Sequence, residues 1–418
     1  MTPIKLDANR EIITIAEKDD IERLAVFNGR MHGDDVAGMT RELAIAHPDA
    51  PQMRWFAVIQ TETREILSTV SLIPWTLDYD GVSIKAAEMG IVGTLEKWRK
   101  RGFISRLVNQ FGVSLSEGGY VLSHIQGIPY FYRQYGYEYA VPLETHYCIE
   151  LRFLQNNIKR TGESSLSLRN AVNADIPVLE KYYTEHVAHL AISTIRGEVR
   201  WKFIIGESLK TGYAADTYVV EHRNKAVGYV RIARQGFGDG LIVSECSRLP
   251  YEHFLSLLLQ IAAIAKERGK PYIRLNLEAG HPAVKAVLDQ GGKYEGGYKW
   301  QIRIPDIRKF LETIGLVLND RLEGSEFDGF SGMFRIHWYR DEIALEISDG
   351  EIVRIGPAKG REGYVINIPP NLLAPLMLGQ STVAECRKFY PDIRGSTRAV
   401  RLFNVLFPQL EGFLYWPY

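Results

Sequence analysis

Apolar residues recur along this chain with two periods, and the switch between them predicts its elements. In "IITIAEKDDIERLAVFNGRMHG" (12–33) an alternating strand runs into an acidic helix start and then into apolar residues at helical spacing. "LSLRNAVNADIPVLEKYYTEH" (166–186) has the same shape. Asp19 or Asp20 in the first stretch and Asp175 in the second fall where helix N-caps are expected. Further along, "SEGGYVLSHIQGIPYFYRQYGYEYA" and "KERGKPYIRLNLEAGHPAVKAVLDQGGKYEGG" each read as helix end, strand, Gly-x-Pro, short helix, and glycine before a final strand. Strand pairs, "RWFAVIQTETREILSTVSLIPWTLDY" and "YVVEHRNKAVGYVRIARQG", fill the middle of each stretch. A recurring pattern reports a duplicated unit, so two mixed α/β units of roughly 150 residues are expected.

The remainder changes character. "SGMFRIHWYRDEIALEISDGEIVRI" predicts strands joined at Asp349-Gly350, a dipeptide favoured in tight hairpins, and "PPNLLAPLMLG" predicts a short amphipathic helix. The expected units are 1–158, 159–302 and an α+β unit at 303–418, in keeping with 418 residues, more than one core usually spans. Fifty basic and fifty acidic residues cancel, which gives the molecule as a whole no electrostatic pull toward nucleic acid or an anionic membrane. Cys148, Cys246 and Cys386 lie far apart without CxxC spacing, so neither a disulfide framework nor a zinc site is expected. The absence of a signal-peptide pattern and of a bilayer-length apolar run leads to an expectation of a cytoplasmic protein.

The densest chemistry lies in "WRKRGFIS" (98–105), where Arg99, Lys100 and Arg101 precede Gly102 at the start of a predicted helix. A helix N-terminus offers unsatisfied N–H groups and partial positive charge, and a glycine lets an anion approach the backbone. The corresponding part of the second unit, "LIVSECSRLPYEHFLSLLL", has Pro250 and no cation cluster. Only the first unit is expected to grip phosphate.

The order of strand "GIVGT", loop "LEKW", then Arg99-x-x-Gly102-x-Ile104 and a helix resembles motif A of the Gcn5-related N-acetyltransferases (GNAT), R/Q-x-x-G-x-G/A, with Ile104 where a small residue is usual. Taken whole, two such units, the second without motif A, and a sterol-carrier-protein-like α+β third unit resemble the enhanced intracellular survival (Eis) acetyltransferase family. That resemblance implies two tandem GNAT-like mixed-sheet domains and acetyl-CoA as co-substrate, without a metal. It also implies pantetheine contacts at Ile91, Val92 and Gly93 and pyrophosphate contacts at Arg99, Lys100, Arg101, Gly102, Phe103 and Ile104. Contacts near the thioester are implied for Gly127 and Ile128, in "HIQGIPYFY". It further implies a homo-oligomer, a hexamer in that family, and a primary amine acceptor of aminoglycoside, polyamine or lysine type.

Acyl transfer from a thioester to an amine needs a base for the amine and a proton for the departing thiolate. "YFYRQYGYEYA" offers five tyrosines, and the family pattern Tyr-x-x-aromatic-Gly-aromatic selects Tyr132 as general acid, with Tyr135, Gly136 and Tyr137 completing it. The chain ends "VLFPQLEGFLYWPY", apolar to the last residue, which predicts a docked terminus. The resemblance makes the carboxylate of Tyr418 a base, although a free α-carboxyl titrates at about 3.3 to 3.7 and is weak unless buried. Glu88, on the motif A strand, is the rival. Relatives carry an acidic residue beside the last one, whereas this chain has Pro417, with Glu411 the nearest carboxylate.

Other signals point elsewhere. His186 and His189 share a helix face but lack a third ligand nearby in sequence, so metal binding is not expected. "RQGFGDG" (234–240) reads as a hairpin connection rather than a phosphate loop. Asp34 and Asp35 follow the first helix and are candidates for an acidic acceptor pocket. A reading from another class also stands: a non-catalytic acyl-CoA or lipid-binding protein that keeps the scaffold.

Overall fold

The computed structural model describes residues 3–155, 166–358 and 360–418. In chain order the first strands are β1 (Ile4–Lys5), β2 (Arg10–Ile15), β3 (Arg54–Gln60), β4 (Ile66–Tyr79), β5 (Val82–Thr94), β6 (Leu122–Ile125) and β7 (Glu138–Glu150). Then follow β8 (Leu166–Asn170), β9 (Ile192–Thr194), β10 (Ala215–His222), β11 (Lys225–Ala233), β12 (Leu241–Cys246), β13 (Tyr272–Leu275) and β14 (Lys293–Arg303). These make one mixed 14-stranded sheet in the order β1-β2-β3-β4-β5-β6-β14-β7-β13-β12-β11-β10-β8, with β9 beside β4. The last part contributes a separate sheet of β15 (Gly332–Trp338), β16 (Asp341–Ser348), β17 (Glu351–Gly356), β18 (Tyr364–Asn367) and β19 (Arg394–Gly395), ordered β17-β16-β15-β18-β19. Its Asp349-Gly350 hairpin takes positive φ at both residues (52° and 79°), the conformation that dipeptide favours.

The two halves of the large sheet exchange strands. β14 inserts between β6 and β7, and β7 in turn pairs with β13, so each half is completed by the other's last strand. Helices α1 (Lys18–His32), α2 (Asp34–Ile45) and α3 (Phe103–Gly118) belong to the first half. Neither Asp19 nor Asp20 is the cap of α1. The helix starts two or three residues earlier, at Lys18, capped at Glu17 without a side-chain bond, and Asp20 sits in the first turn paired to Arg64 at 2.7 Å. Asp175 does precede the helix Ile176–Val187, its carboxylate taking the Val172 N–H and Arg169. "PPNLLAPLMLG" becomes a turn and the helix Leu373–Met377, buried on every side rather than amphipathic, as its unbroken apolar run requires.

Buried apolar residues form two clusters, one joining the first and last parts of the chain and one centred on β8–β13. The chain's end bridges them: Phe413 and Tyr415 enter the second cluster, Leu414 and Tyr418 the first. β9 is the strip on which this tail lies, pairing with β4 on one side and bridging Gly412 through Ile192 on the other. The last part is tied to the large sheet through Tyr79, a buried β4 residue whose hydroxyl donates to the Met377 carbonyl at 2.8 Å. Tyr79→Phe is expected to cost about 1 kcal/mol and to speed amide exchange in Leu373–Met377 selectively; unchanged exchange there would remove this bond from the account.

Candidate active site

β5 and β6 run parallel only as far as the pair Glu88–His124. Beyond it they part: β5 continues to Thr94 along β4, while β6 turns to β14. A wedge therefore opens between "MGIVGT" on one arm and "QGI" on the other, with Glu88 and His124 at its apex. On the first arm the register with β4 slips between Thr69 and Ser71, and Ile91 is forced to φ 46°. Such a bulge turns backbone groups out of the ladder. Ile91, Val92 and Gly93 thus line an open strand edge, and the Ile91 carbonyl is held by Thr69 Oγ1 at 3.3 Å.

On the second arm Gly127 is buried, and its carbonyl accepts from the Tyr298 hydroxyl at 2.6 Å and from Gln301 Nε2 at 2.9 Å, both on β14. A Cβ at Gly127 would collide with the Tyr132 ring, so only glycine lets that ring close over the strand end. Ile128 is 65% exposed. Tyr132 lies in the short turn Phe131–Tyr135, flanked by left-handed Tyr130 and Gly136. Tyr135 bonds Ser105 at 3.0 Å, Tyr137 bonds Ser123 at 2.7 Å and Tyr139 bonds Tyr298 at 3.0 Å. Tyr132 is the buried tyrosine of the group whose hydroxyl has no partner among the described residues. Burial first, then the neighbouring Tyr137 and Tyr135, push its pKa well above the ordinary tyrosine value.

The open end of the wedge meets α3. Gly102 caps it in the left-handed conformation (φ 76°) with nothing within 4 Å of where a Cβ would stand. No side chain caps the helix, so its first N–H groups remain free for a ligand. Lys100 also takes positive φ (62°), and Arg99, Lys100 and Arg101 are exposed without an ion pair to any described residue. Arg101 lies over the Trp98 ring at 4.6 Å. Phe103 is buried under the first turn and Ile104 half-buried. An open cradle, free backbone donors and unneutralised cations fit a pyrophosphate, and the parted, half-buried strand edge fits an extended amide-bearing arm.

At the apex the two carboxyl-bearing residues weighed as bases turn out to be partners. Tyr418 is fully buried and its side-chain hydroxyl donates to Glu88 Oε2. Burial pushes the Glu88 carboxyl up to about 7, against the opposing pull of the Tyr418 hydroxyl and the nearby Trp75 indole. Around them stand rings that spacing did not single out. Tyr418 contacts Trp75, Tyr213 and Trp416 at 5.9, 5.6 and 5.5 Å between ring centres, and Tyr213 stacks on Trp416 at 4.3 Å. His124 sits edge-on to Trp75 (4.5 Å) and Trp300 (4.8 Å) with neither ring nitrogen partnered among the described residues. Burial lowers its pKa to about 3, so it is neutral. These side chains come from six separate segments, and no local pattern marks them as a group. Asp35 is exposed at the start of α2 and accepts from Gln235 at 3.2 Å; Asp34 is exposed beside it.

His186, expected to bind no metal, stands with Glu278 and His281 in a buried group. Glu278 is already satisfied by Arg248 (3.0 Å) and Tyr415 (2.5 Å), and His281 spends both nitrogens, on the Cys246 carbonyl and the Ala283 N–H. That leaves little for an ion. No helix among the described residues is long and apolar enough to cross a membrane.

Comparison with known proteins follows this geometry. The family model described as "Acetyltransferase (GNAT) domain" matches residues 31–140, which hold the wedge, the α3 cradle and Tyr132. No curated protein matches the chain in sequence. Among solved structures, a probable N-acyltransferase of unknown function from Enterococcus faecalis aligns with TM-score 0.72 at 15% identity, covering 98% of this chain and 99% of that one. A GCN5-related N-acetyltransferase from Anabaena variabilis aligns with TM-score 0.70 at 15% identity (97% and 99% covered). Eis1 from Mycobacterium abscessus aligns with TM-score 0.64 at 15% identity (98% and 100% covered). Residues 31–140 are a GNAT acetyltransferase domain by their match, set in a chain whose whole fold is shared with these structures.

Proposed function

We propose that this protein is an acetyl-CoA-dependent N-acetyltransferase that acetylates a primary amine by direct attack. The observation that carries the reading is a buried carboxylate with a raised pKa at the apex of a strand wedge whose open end is an uncapped, cation-flanked helix N-terminus. Arg99, Lys100, Arg101, Gly102, Phe103 and Ile104 would hold the pyrophosphate, and Ile91, Val92, Gly93, Gly127 and Ile128 the arm that leads to the apex. Acetyl-CoA, when bound, supplies an acetyl group activated as a thioester.

Glu88 Oε2 takes the proton of the incoming amine, and the Tyr418 hydroxyl steadies the carboxylate. Magnitudes favour Glu88 over the terminal carboxylate as base. An alkylammonium near 10.4 lies about 3 units above a carboxyl at about 7, but roughly 7 above an ordinary α-carboxyl. Tyr132 Oη, held protonated by burial, is the proton donor on the thiol side. Amines of polyamine, aminoglycoside or lysine type are the proposed acceptors, with Asp35, exposed at the start of α2, the candidate partner for a second cationic group.

The direct test is release of free thiol from acetyl-CoA across a panel of such amines. The parent is expected to respond to at least one, with kcat/KM falling about tenfold per pH unit below 7, because Glu88 must be ionised to act. Tyr132→Phe should lose 10²-fold or more in kcat while KM for acetyl-CoA stays within about twofold. Acetyl-CoA binding without any amine-stimulated thiol release would favour the non-catalytic acyl-CoA-binding reading instead.

The same carboxyl carries a stability signature. Its folded-state pKa of about 7 exceeds the ordinary 4.5, so between those values the native state keeps a proton that the unfolded chain has lost. Stability therefore falls as pH rises through that window, by about 3 kcal/mol in all. Glu88→Gln should gain in thermal midpoint relative to the parent at pH 8 and not at pH 4. A difference between the two proteins that is the same at both pH values would show that Glu88 titrates normally.

A further inference from the structure

The second half of the large sheet lacks the phosphate grip of the first: the helix Tyr251–Glu267 follows Pro250 without a left-handed glycine, and the cation flanking it, Arg248, is paired to Glu278 at 3.0 Å. Its interior holds an arginine that the chemistry so far leaves unused. The Arg196 side chain is fully buried and lies two residues beyond the end of β9. Its Nη1 donates to Glu245 Oε1 at 2.8 Å, and its guanidinium lies over the Tyr183 ring at 4.3 Å and the Trp201 ring at 5.3 Å. Its Nη2 donates, at 2.5 Å, to the backbone carbonyl of Trp416, two residues from the chain's end.

A buried guanidinium is strongly unfavourable unless acceptors surround it. Glu245 cannot serve Arg196 alone, because it also takes the Tyr229 hydroxyl at 2.6 Å and faces Arg231 at 3.7 Å. The Trp416 carbonyl is thus the second acceptor of a charge whose Nε has no partner among the described residues, and a charge-assisted bond of this kind fixes its acceptor closely. From that carbonyl the chain has little freedom. Pro417 locks its own φ and confines Trp416 to extended backbone, so the direction in which Tyr418 leaves is set by the clamp. Tyr418 then ends on Glu88.

We propose that Arg196 is a positioning residue: by clamping the Trp416 carbonyl it holds the Tyr418 hydroxyl on Glu88, and the half that lacks the phosphate grip serves the active site through the tail. This rests on the assignment of Glu88 as base. Tyr415, bonded to Glu278, and the Phe413 N–H, bonded to the Ile192 carbonyl at 3.0 Å, hold the tail upstream of the clamp; downstream, Trp416 is stacked on Tyr213 at 4.3 Å, and the Arg196 bond adds a directional hold on the backbone that ring packing does not supply.

The test is a double-mutant cycle of Arg196→Lys with Tyr418→Phe in the full-length protein. Arg196→Lys keeps a charge for Glu245 but loses the two-pronged grip. Each single variant should lower kcat about tenfold and move the acid limb of kcat/KM upward by the same amount, with KM for acetyl-CoA within twofold, and the double variant should be no worse than either single. Additive losses, or an unmoved acid limb in Arg196→Lys, would overturn the clamp. If no amine is acetylated by the parent, carboxypeptidase release of Tyr418 gives an independent reading. Arg196→Lys should release it at least tenfold faster than the parent, and equal rates would refute the clamp whatever the enzyme does. Arg196→Gln, which retains a donor toward Glu245, serves the same cycle if the lysine variant does not fold.

Discussion

A single carboxyl group that has been taken out of water organises this molecule. Glu88 stands where two parallel strands part, and the widening gap leaves its carboxyl among rings rather than in solvent. An ionised carboxylate in such a place is costly without donors. The strands themselves offer none, since their backbone groups are spent on β4 and β14, and His124 opposite is neutral and unpartnered. Besides the nearby Trp75 indole on β4, the donor is the hydroxyl of Tyr418. Tyr418 is therefore neither a loose end nor a simple cap on the last sheet: its hydroxyl keeps Glu88 able to ionise near neutral pH, and its ring closes the chamber against water.

Bringing a chain terminus to that point constrains everything between. The tail must pass from the β8–β13 cluster to the other, and it does so with the alternation of an extended strand: Phe413 and Tyr415 face one core, Leu414 and Tyr418 the other. β9 supplies the rail, being paired at once with β4 and with the tail. The exchange of β7 and β14 has the same effect on a larger scale, because it makes the two halves one sheet and denies them independent motion at the apex. A half without the phosphate grip serves in this arrangement as a scaffold, its buried charges holding the tail.

Legibility in the sequence followed the range of the interaction. Local chemistry could be read directly: Gly102 announces a left-handed residue before a helix, and Asp349-Gly350 a tight hairpin. Asp19 and Asp20 misled because any acidic residue in a first turn is favourable, and shifts of two or three residues at a helix start are invisible to pattern. "NLLAPLMLG" misled because an apolar run of that length is silent about what covers its far side. The Glu88–Tyr418 pair lay out of reach for another reason. The partners are separated by nearly the whole chain, and each alone has an ordinary explanation, a strand glutamate and an aromatic terminus. Sequence ranked them as competitors for one role, and only the fold makes them partners in it.

Pro417 gains a physical meaning from this partnership. Where a second acidic residue would place another negative charge beside Glu88, raising its pKa further and drawing water in, proline adds neither charge nor donor. It stiffens the step between the carbonyl held by Arg196 and the hydroxyl held by Glu88. Stiffness has value there because a tyrosine tethered at one end by a flexible terminus would lose conformational freedom each time it docked, at a cost of the order of 1 kcal/mol or more per residue fixed. With φ already set by the pyrrolidine ring, part of that ordering is covalent. The Pro417–Tyr418 step thus acts as a fixed wall beside the buried Glu88.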